Sequence, residues 1–401
     1  MMLRACLPIL FVFGLASLSH AQSSAVTTAQ VYNEQGKHAE AIEKARAALE
    51  NPDQLKPKHL TKAYYVLADS YFSLYRQDPQ RVGSEDLLFM SHDAYRKAME
   101  AEPVAGYDYK IELIGEGIWG PLFNYTVNVN YGTGMSRFDY QKARDAHNRL
   151  VELKPDYAAV WASSAYNYLL LQDTVRSKAH YQKTLDLVTA GEEIPEADLN
   201  WASTAYYMLG NLSAMTGEAD RALALCEEGR KQFPESTELL YLHLEILRAM
   251  PGRLDEALAL FDEAIEADPE NIQLVLVKAS TLEMSGRAEE ALAAYKKAVE
   301  IDADNLNGNY GMAVFHVNRA AKLSKQANEV SDEKEYDRLI GLAEQDMAIA
   351  YPILETCHRV APGETEIVRT LVMLSISLGK EEEYSVWSNK LSALEDIYKN
   401  R

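Results

Sequence analysis

The chain has 401 residues, 47% of them hydrophobic, and 60 acidic against 40 basic side chains give a formal net charge of −20. That length exceeds one ordinary compact core, and that apolar content excludes a disordered chain. No basic patch stands out, so the composition speaks against nucleic acid as a partner.

The first segment reads as a secretory signal peptide covering residues 1–21. Arg4 precedes an apolar run over 8–18, and Ser19 and Ala21 are the small residues expected before a cut at Gln22. The run is short for a membrane span of about 20 residues. Cys6 lies before it, which argues against a lipoprotein signal. The expectation is export to a periplasm, with the extracellular space as the alternative. No later segment is long and apolar enough to span a membrane. Cys226 and Cys357 then remain, too few for a disulfide scaffold, and both are expected to be buried, free thiols.

Residues 22–51 form a first helix pair, with Tyr32, Gly36, Ala41 and Ala48 as its markers. A second pair begins at Thr61 with Tyr64, Leu67, Ala68 and Tyr71. A polar stretch over 76–86, holding Pro79 and Gly83, is read as an inserted loop before the partner helix resumes and closes at Pro103. Residues 107–156 are the least regular. Gly115, Gly117, Gly120 and Pro121 interrupt an apolar run, and 123–131 alternates like a strand. Flanking helix pairs favour helix there too. A fourth pair covers 156–187, and 189–195 is a linker.

Three near-identical phrases follow. Gly217, Gly252 and Gly286 recur after 35 and then 34 residues, and Ala222, Ala257 and Ala291 keep step five places on. Cys226, Phe261 and Tyr295 form the next register, and Pro234 and Pro269 close two of the units. Glycine ends a first helix by accepting a left-handed backbone, small residues let two helices approach, and proline starts the next unit. Residues 305–327 read as an extended first helix, 328–333 as a polar break, and Asp332 with Glu335 as a capping box opening a long helix that holds Pro352. Residues 364–401 are a ninth pair with a polar, cap-like end.

With its glycine at position 15, alanine at 20, aromatic at 24 and proline at 32, this unit resembles the tetratricopeptide repeat family, of the exported bacterial type. The expected fold is all-α, a right-handed superhelical solenoid of about nine antiparallel helix pairs. The expected division is signal peptide 1–21, helical repeats with insertions 22–190, regular repeats 191–304, and repeats with extended helices and a capping helix 305–401.

No catalytic constellation stands out. The nine histidines are scattered, and the sequence holds no nucleophile elbow, phosphate loop, dinucleotide fingerprint or metal-ligand spacing. No enzyme activity, cofactor or metal is expected. What the resemblance implies instead is a concave surface lined by positions 2, 5, 9, 12 and 13 of the first helices. On this chain those positions include Tyr65, Phe72, Tyr166, Tyr207, Asn211, Met215, Met250, Met284 and Tyr310, the candidate partner-binding residues. Gln273, Leu276, Ser280, Glu283, Asn307 and Asn318 fall at equivalent places, as do Leu239, Leu242 and Ile246. The spaced Lys and Asn of the family's carboxylate-gripping site are not found.

The leading reading is a non-catalytic exported scaffold that binds a protein or peptide through that surface. One alternative is a carbohydrate or small-ligand site, or an enzyme, in 113–138, using Trp119, Phe123, Tyr125, Asn128 and Tyr131. Another is a subunit that self-assembles through its terminal repeats.

Overall fold

A computed structural model describes residues 7–191, 194 and 196–399, with side chains from 21 to 396 within that set. Residues 1–6 of the expected signal peptide, linker residues 192, 193 and 195, and the last two positions of the polar end lie outside the described residues.

The described chain is all-α, as expected, and consists of eighteen helices with two short 3₁₀ turns. They pair in sequence as α1 (Leu7–Glu34) with α2 (His38–Ala48), α3 (Pro57–Gln77) with α4 (Ser84–Glu100), and α5 (Asp108–Tyr131) with α6 (Arg137–Leu153). Next come α7 (Ala158–Leu170) with α8 (Thr174–Val188), α9 (Leu199–Met215) with α10 (Ala219–Gln232), and α11 (Thr237–Ala249) with α12 (Leu254–Ala267). Last are α13 (Ile272–Met284) with α14 (Ala288–Ile301), α15 (Leu306–Ala327) with α16 (Glu333–Val360), and α17 (Thr365–Ser377) with α18 (Glu381–Lys399). The chain divides into two compact units, Met1–Leu242 and His243–Arg401.

In the first unit each helix packs on the next, and alternate first helices also touch: α1 on α3, α3 on α5, α5 on α7 and α7 on α9. The irregular stretch is therefore one helix of the stack. α5 carries Pro121 inside it, and its glycines serve close approach. A Cβ on Gly115 would sit 2.9 Å from the Tyr95 ring, and one on Gly117 would sit 2.6 Å from Phe72. The expected loop over 76–86 is shorter than the sequence suggests. Helix runs to Gln77 and restarts at Ser84, after Gly83 at φ +77°, because the Ser84 hydroxyl donates to the Pro79 carbonyl at 2.8 Å and closes the turn.

In the second unit each helix from α12 to α18 packs on the next, and the repeat markers sit where helices meet. Ala257 and Phe261 of α12 are fully buried, as is Ala298 of α14, with Ala291 and Tyr295 close behind. A second cluster joins α15 through α18 around Leu354, Leu371, Leu374 and Trp387. Burying each such leucine contributes about 1.5–3 kcal/mol, so these stripes hold the terminal helices. Asp332 caps α16 by accepting from the Glu335 amide at 2.8 Å. Cys226 and Cys357 are free and buried, and burial pushes their thiols up, to about 12 and about 11.

One turn motif separates the two helices of most pairs. Before α14, Gly286 at φ +81° donates to the Glu283 carbonyl and Arg287 donates to Leu282, which satisfies two end carbonyls of α13. The same pair of bonds recurs at Gly36, Gly217 and Gly379. Between α7 and α8 the sequence offers no glycine. Gln172 takes the position at φ +63°, with Gln172 donating to Leu169 and Asp173 to Tyr168. A left-handed conformation costs a side-chain-bearing residue about 1–2 kcal/mol. We predict that Gln172→Gly stabilises the chain by about 0.5–1 kcal/mol, after the added unfolded-state entropy of glycine is subtracted. A rise in the urea midpoint at unchanged slope would bear this out, and a fall would show that the Gln172 side chain offsets the strain.

Candidate functional site

In the second unit, α13 and α15 present the same repeat positions to one face. Gln273, Leu276, Ser280 and Glu283 follow at offsets of 3, 7 and 10 residues, and Asn307, Tyr310 and Val314 follow the same rule. At about 3.6 residues per turn those offsets keep to one side of a helix. They line a single cavity of about 360 Å³, whose floor is Tyr295 of α14 and Gly311 of α15. A second cavity of about 370 Å³ shares Glu283, Tyr295 and Gly311 and opens toward Phe315, Asn318, Arg319 and Lys322.

The floor is explained by a missing side chain. A Cβ on Gly311 would stand 2.5 Å from the Tyr295 ring, so only glycine lets that ring lie under α15. The Tyr295 hydroxyl then reaches α13 and donates to Glu283 Oε2 at 2.7 Å. Burial, with the Glu283 carboxylate beside it, holds that hydroxyl well above the usual tyrosine range. Beyond the second cavity, buried Asp346 of α16 accepts from Arg319 Nε at 2.6 Å and also pairs with the Arg319 Nη2 nitrogen. His316 Nδ1 lies 2.8 Å from the same carboxylate. These partners outweigh the burial of Asp346 and lower its pKa.

Of the candidates named from the sequence, Tyr310 stands in this cavity, 37% exposed. Met284, at the end of α13, is 82% exposed. Met250 is half-buried, and Ile246, Leu239 and Leu242 are buried in packing contacts. Tyr295, Val314, Phe315 and Arg319 were missed. Tyr295 occupies the position that holds buried Cys226 and Phe261 in the preceding units, so only the glycine at 311 could have signalled that its hydroxyl reaches the surface.

The candidates in the first unit are spread along its stack. Tyr65 meets Tyr107 edge to face, ring centroids 5.1 Å apart, with Lys110 Nζ over both rings. Burial and nearby Asp69 push the Tyr65 hydroxyl up to about 12. Phe72 is buried, stacked on Tyr75 and pressed against Gly117, so its ring serves the core. Tyr166 stacks on Tyr131 at 5.1 Å and 10°. Tyr207 packs half-buried against the α8–α9 cluster, Asn211 is half-buried, and Met215 is 75% exposed.

The aromatic residues of 113–138 divide among three separate neighbours. Trp119 and Phe123 both pack on Tyr157, Tyr125 packs on Phe89, and Tyr131 packs on Tyr166. Trp119 lines an open cavity of about 510 Å³ with Lys154, Pro155 and Tyr157, and Asn128 is exposed elsewhere on α5. What α5 does build is a buried polar network. Asn130 Nδ2 donates to the Ser163 carbonyl at 2.9 Å and Asn167 Nδ2 donates to Asn130 Oδ1 at 2.8 Å. His147 Nε2 lies 3.0 Å from Ser163 Oγ. Among the described residues no group of three or more His, Cys, Asp or Glu could hold a metal ion, and no helix is long and apolar enough to cross a membrane.

Stacked helix pairs with a first-helix face lined by recurring positions define a helical-repeat scaffold. The model of the tetratricopeptide repeat family matches residues 248–313, which lie in the second unit. That stretch of the chain carries tetratricopeptide repeats. Among solved structures it is similar to the C-terminal part of a tetratricopeptide repeat-containing protein from Cytophaga hutchinsonii. That pair shares 13% identity over 68% of this chain and 95% of the other, with a TM-score of 0.49. It is also similar to a tetratricopeptide repeat protein from Parabacteroides merdae, at 16% identity over 68% and 98% of the two chains and a TM-score of 0.36. A third is YrrB, described as a tetratricopeptide repeat protein with an unusual peptide-binding site, at 22% identity over 47% and 88% and a TM-score of 0.36. Identities and scores this low speak only of helical-repeat architecture. No curated protein matches the chain.

The polar network makes a pH prediction. Burial lowers the pKa of His147 from 6.5 to about 3, so the folded chain keeps the ring neutral. The unfolded chain takes up a proton below about 6.5. The contribution is therefore full above that pH and is lost as pH falls toward 3, with about 2 kcal/mol gone between pH 7 and pH 5. Urea unfolding at both pH values is expected to show this loss. A His147→Gln chain should lose less stability over the same step, and an equal loss in both chains would exclude His147 as the cause.

Proposed function

We propose that this tetratricopeptide repeat protein is a non-catalytic scaffold, exported from the cytoplasm, that holds a segment of a protein or peptide partner against the α13–α15 face. The observation that carries the reading is the cavity in which Gln273, Leu276, Ser280, Glu283, Asn307 and Tyr310 come together. Its walls mix apolar surface with amide, hydroxyl and carboxylate groups, which suits an extended chain with its own backbone donors and acceptors. Exposed Met284 at one end of α13 adds an adaptable apolar contact.

The test is an array of random short peptides with blocked ends, probed with the full chain and with single variants. Tyr310→Ala is expected to weaken captured peptides by about tenfold, as for a partly exposed aromatic anchor. Circular dichroism should confirm unchanged helicity. Tyr207→Ala with Met215→Ala, in the other unit, is expected to leave capture by the α13–α15 face unchanged. No capture, or equal capture by the Tyr310→Ala chain, would sink the reading.

Export rests on Arg4, the apolar run over 8–18 and the small residues Ser19 and Ala21. Expressed in a bacterium, the chain is expected in the envelope fraction with a mass that begins at Gln22. A full-length mass in the soluble cell interior would refute it.

A further inference from the structure

We propose that the cavity over Glu283 selects a basic side chain, Lys or Arg, from the bound segment; this refines the peptide-groove reading above and depends on it. Glu283 lies where the two cavities adjoin. Its Oε2 accepts from the Tyr295 hydroxyl at 2.7 Å, which fixes the carboxylate without neutralising it. Among the described residues no cation pairs with Glu283. Tyr310, 37% exposed, lines the same cavity as Glu283, whereas the Phe315 ring is already covered by the Arg319 guanidinium, 5.4 Å from its centroid. A fixed carboxylate in one cavity with the exposed Tyr310 ring suits a long cationic side chain, whose methylene stem can lie on that ring while its charge reaches the carboxylate.

The competing occupant is an acidic side chain drawn to Arg319 and Lys322 at the far end of the second cavity. Arg319 is already matched, because Asp346 accepts from two of its nitrogens. Lys322 shares that lining with two carboxylates, Glu283 and Glu289, without pairing with either among the described residues. An acidic group entering there meets more negative charge than positive. The net charge of −20 adds a long-range attraction for cationic segments, though it does not by itself choose this cavity.

The experiment uses the peptide array and the full chain. Peptides captured by the native chain should be enriched in Lys and Arg. Glu283→Gln keeps the shape and an acceptor for Tyr295 but removes the charge. It is expected to weaken a captured basic peptide by about fivefold, and to leave the same peptide with Lys or Arg replaced by Gln unaffected. Glu300→Gln, an exposed site on α14, makes the same change in net charge and should retain the preference. Capture without basic enrichment, or a Glu283→Gln loss matched by Glu300→Gln, overturns the proposal and leaves the groove standing. No capture at all overturns both.

Discussion

Everything in this chain depends on how closely two helices can approach. At Ala257, Ala291 and Ala298 the helix surface is flat, and large neighbours such as Phe261 and Tyr295 fill the space beside it. Small residues give the approach and large ones give the apolar burial, so neither works without the other. The same logic extends to places the repeat does not prescribe. Gly115 and Gly117 admit Tyr95 and Phe72 against α5, and Gly311 admits Tyr295 under α15. At Gly311 the packing device also shapes a cavity, because the ring that fills the gap carries a hydroxyl to Glu283.

The architecture was legible because its signals are local and periodic. Glycine, alanine and proline recur at fixed spacing, and each has one mechanical role in a helix pair. Even the long break and the capping residue Asp332 were readable in this way. What the sequence could not show is which way a shared position acts. Tyr295 and Phe261 hold the same register, yet one is a plain core residue and the other orients a surface carboxylate. The difference lies in Gly311, sixteen residues away on another helix. Gln172 is a second case. A turn that demands a left-handed residue was filled without glycine, so the sequence marker vanished while the turn remained.

The irregular stretch over 113–138 shows how individuality in a sequence can be spent on packing. Its aromatic residues are unusual in number but lie around a single helix, so they address different neighbours. Trp119 and Phe123 meet Tyr157, Tyr125 meets Phe89, and Tyr131 meets Tyr166. Its polar residues turn inward instead, and Asn130 joins Ser163, Asn167 and His147 in a buried network. Such a network costs stability wherever a partner is missing, and Asn167 Oδ1 has none among the described atoms. The network ties α5, α6 and α7 together through Asn130, His147, Ser163 and Asn167.

Recognition in such a protein has to use what packing leaves over. Markers at positions 15, 20 and 24 are taken by turns and cores, so the remaining first-helix positions are what the proposed reading leaves to a partner. On α13 and α15 those positions carry an amide, a hydroxyl, a carboxylate and an aromatic ring within one cavity. Equivalent positions on α11 carry Leu239, Leu242 and Ile246, all buried. The repeat therefore supplies a frame of sites without supplying their chemistry. On α11 those positions are turned over to packing, whereas on α13 and α15 they are left polar in a shared cavity.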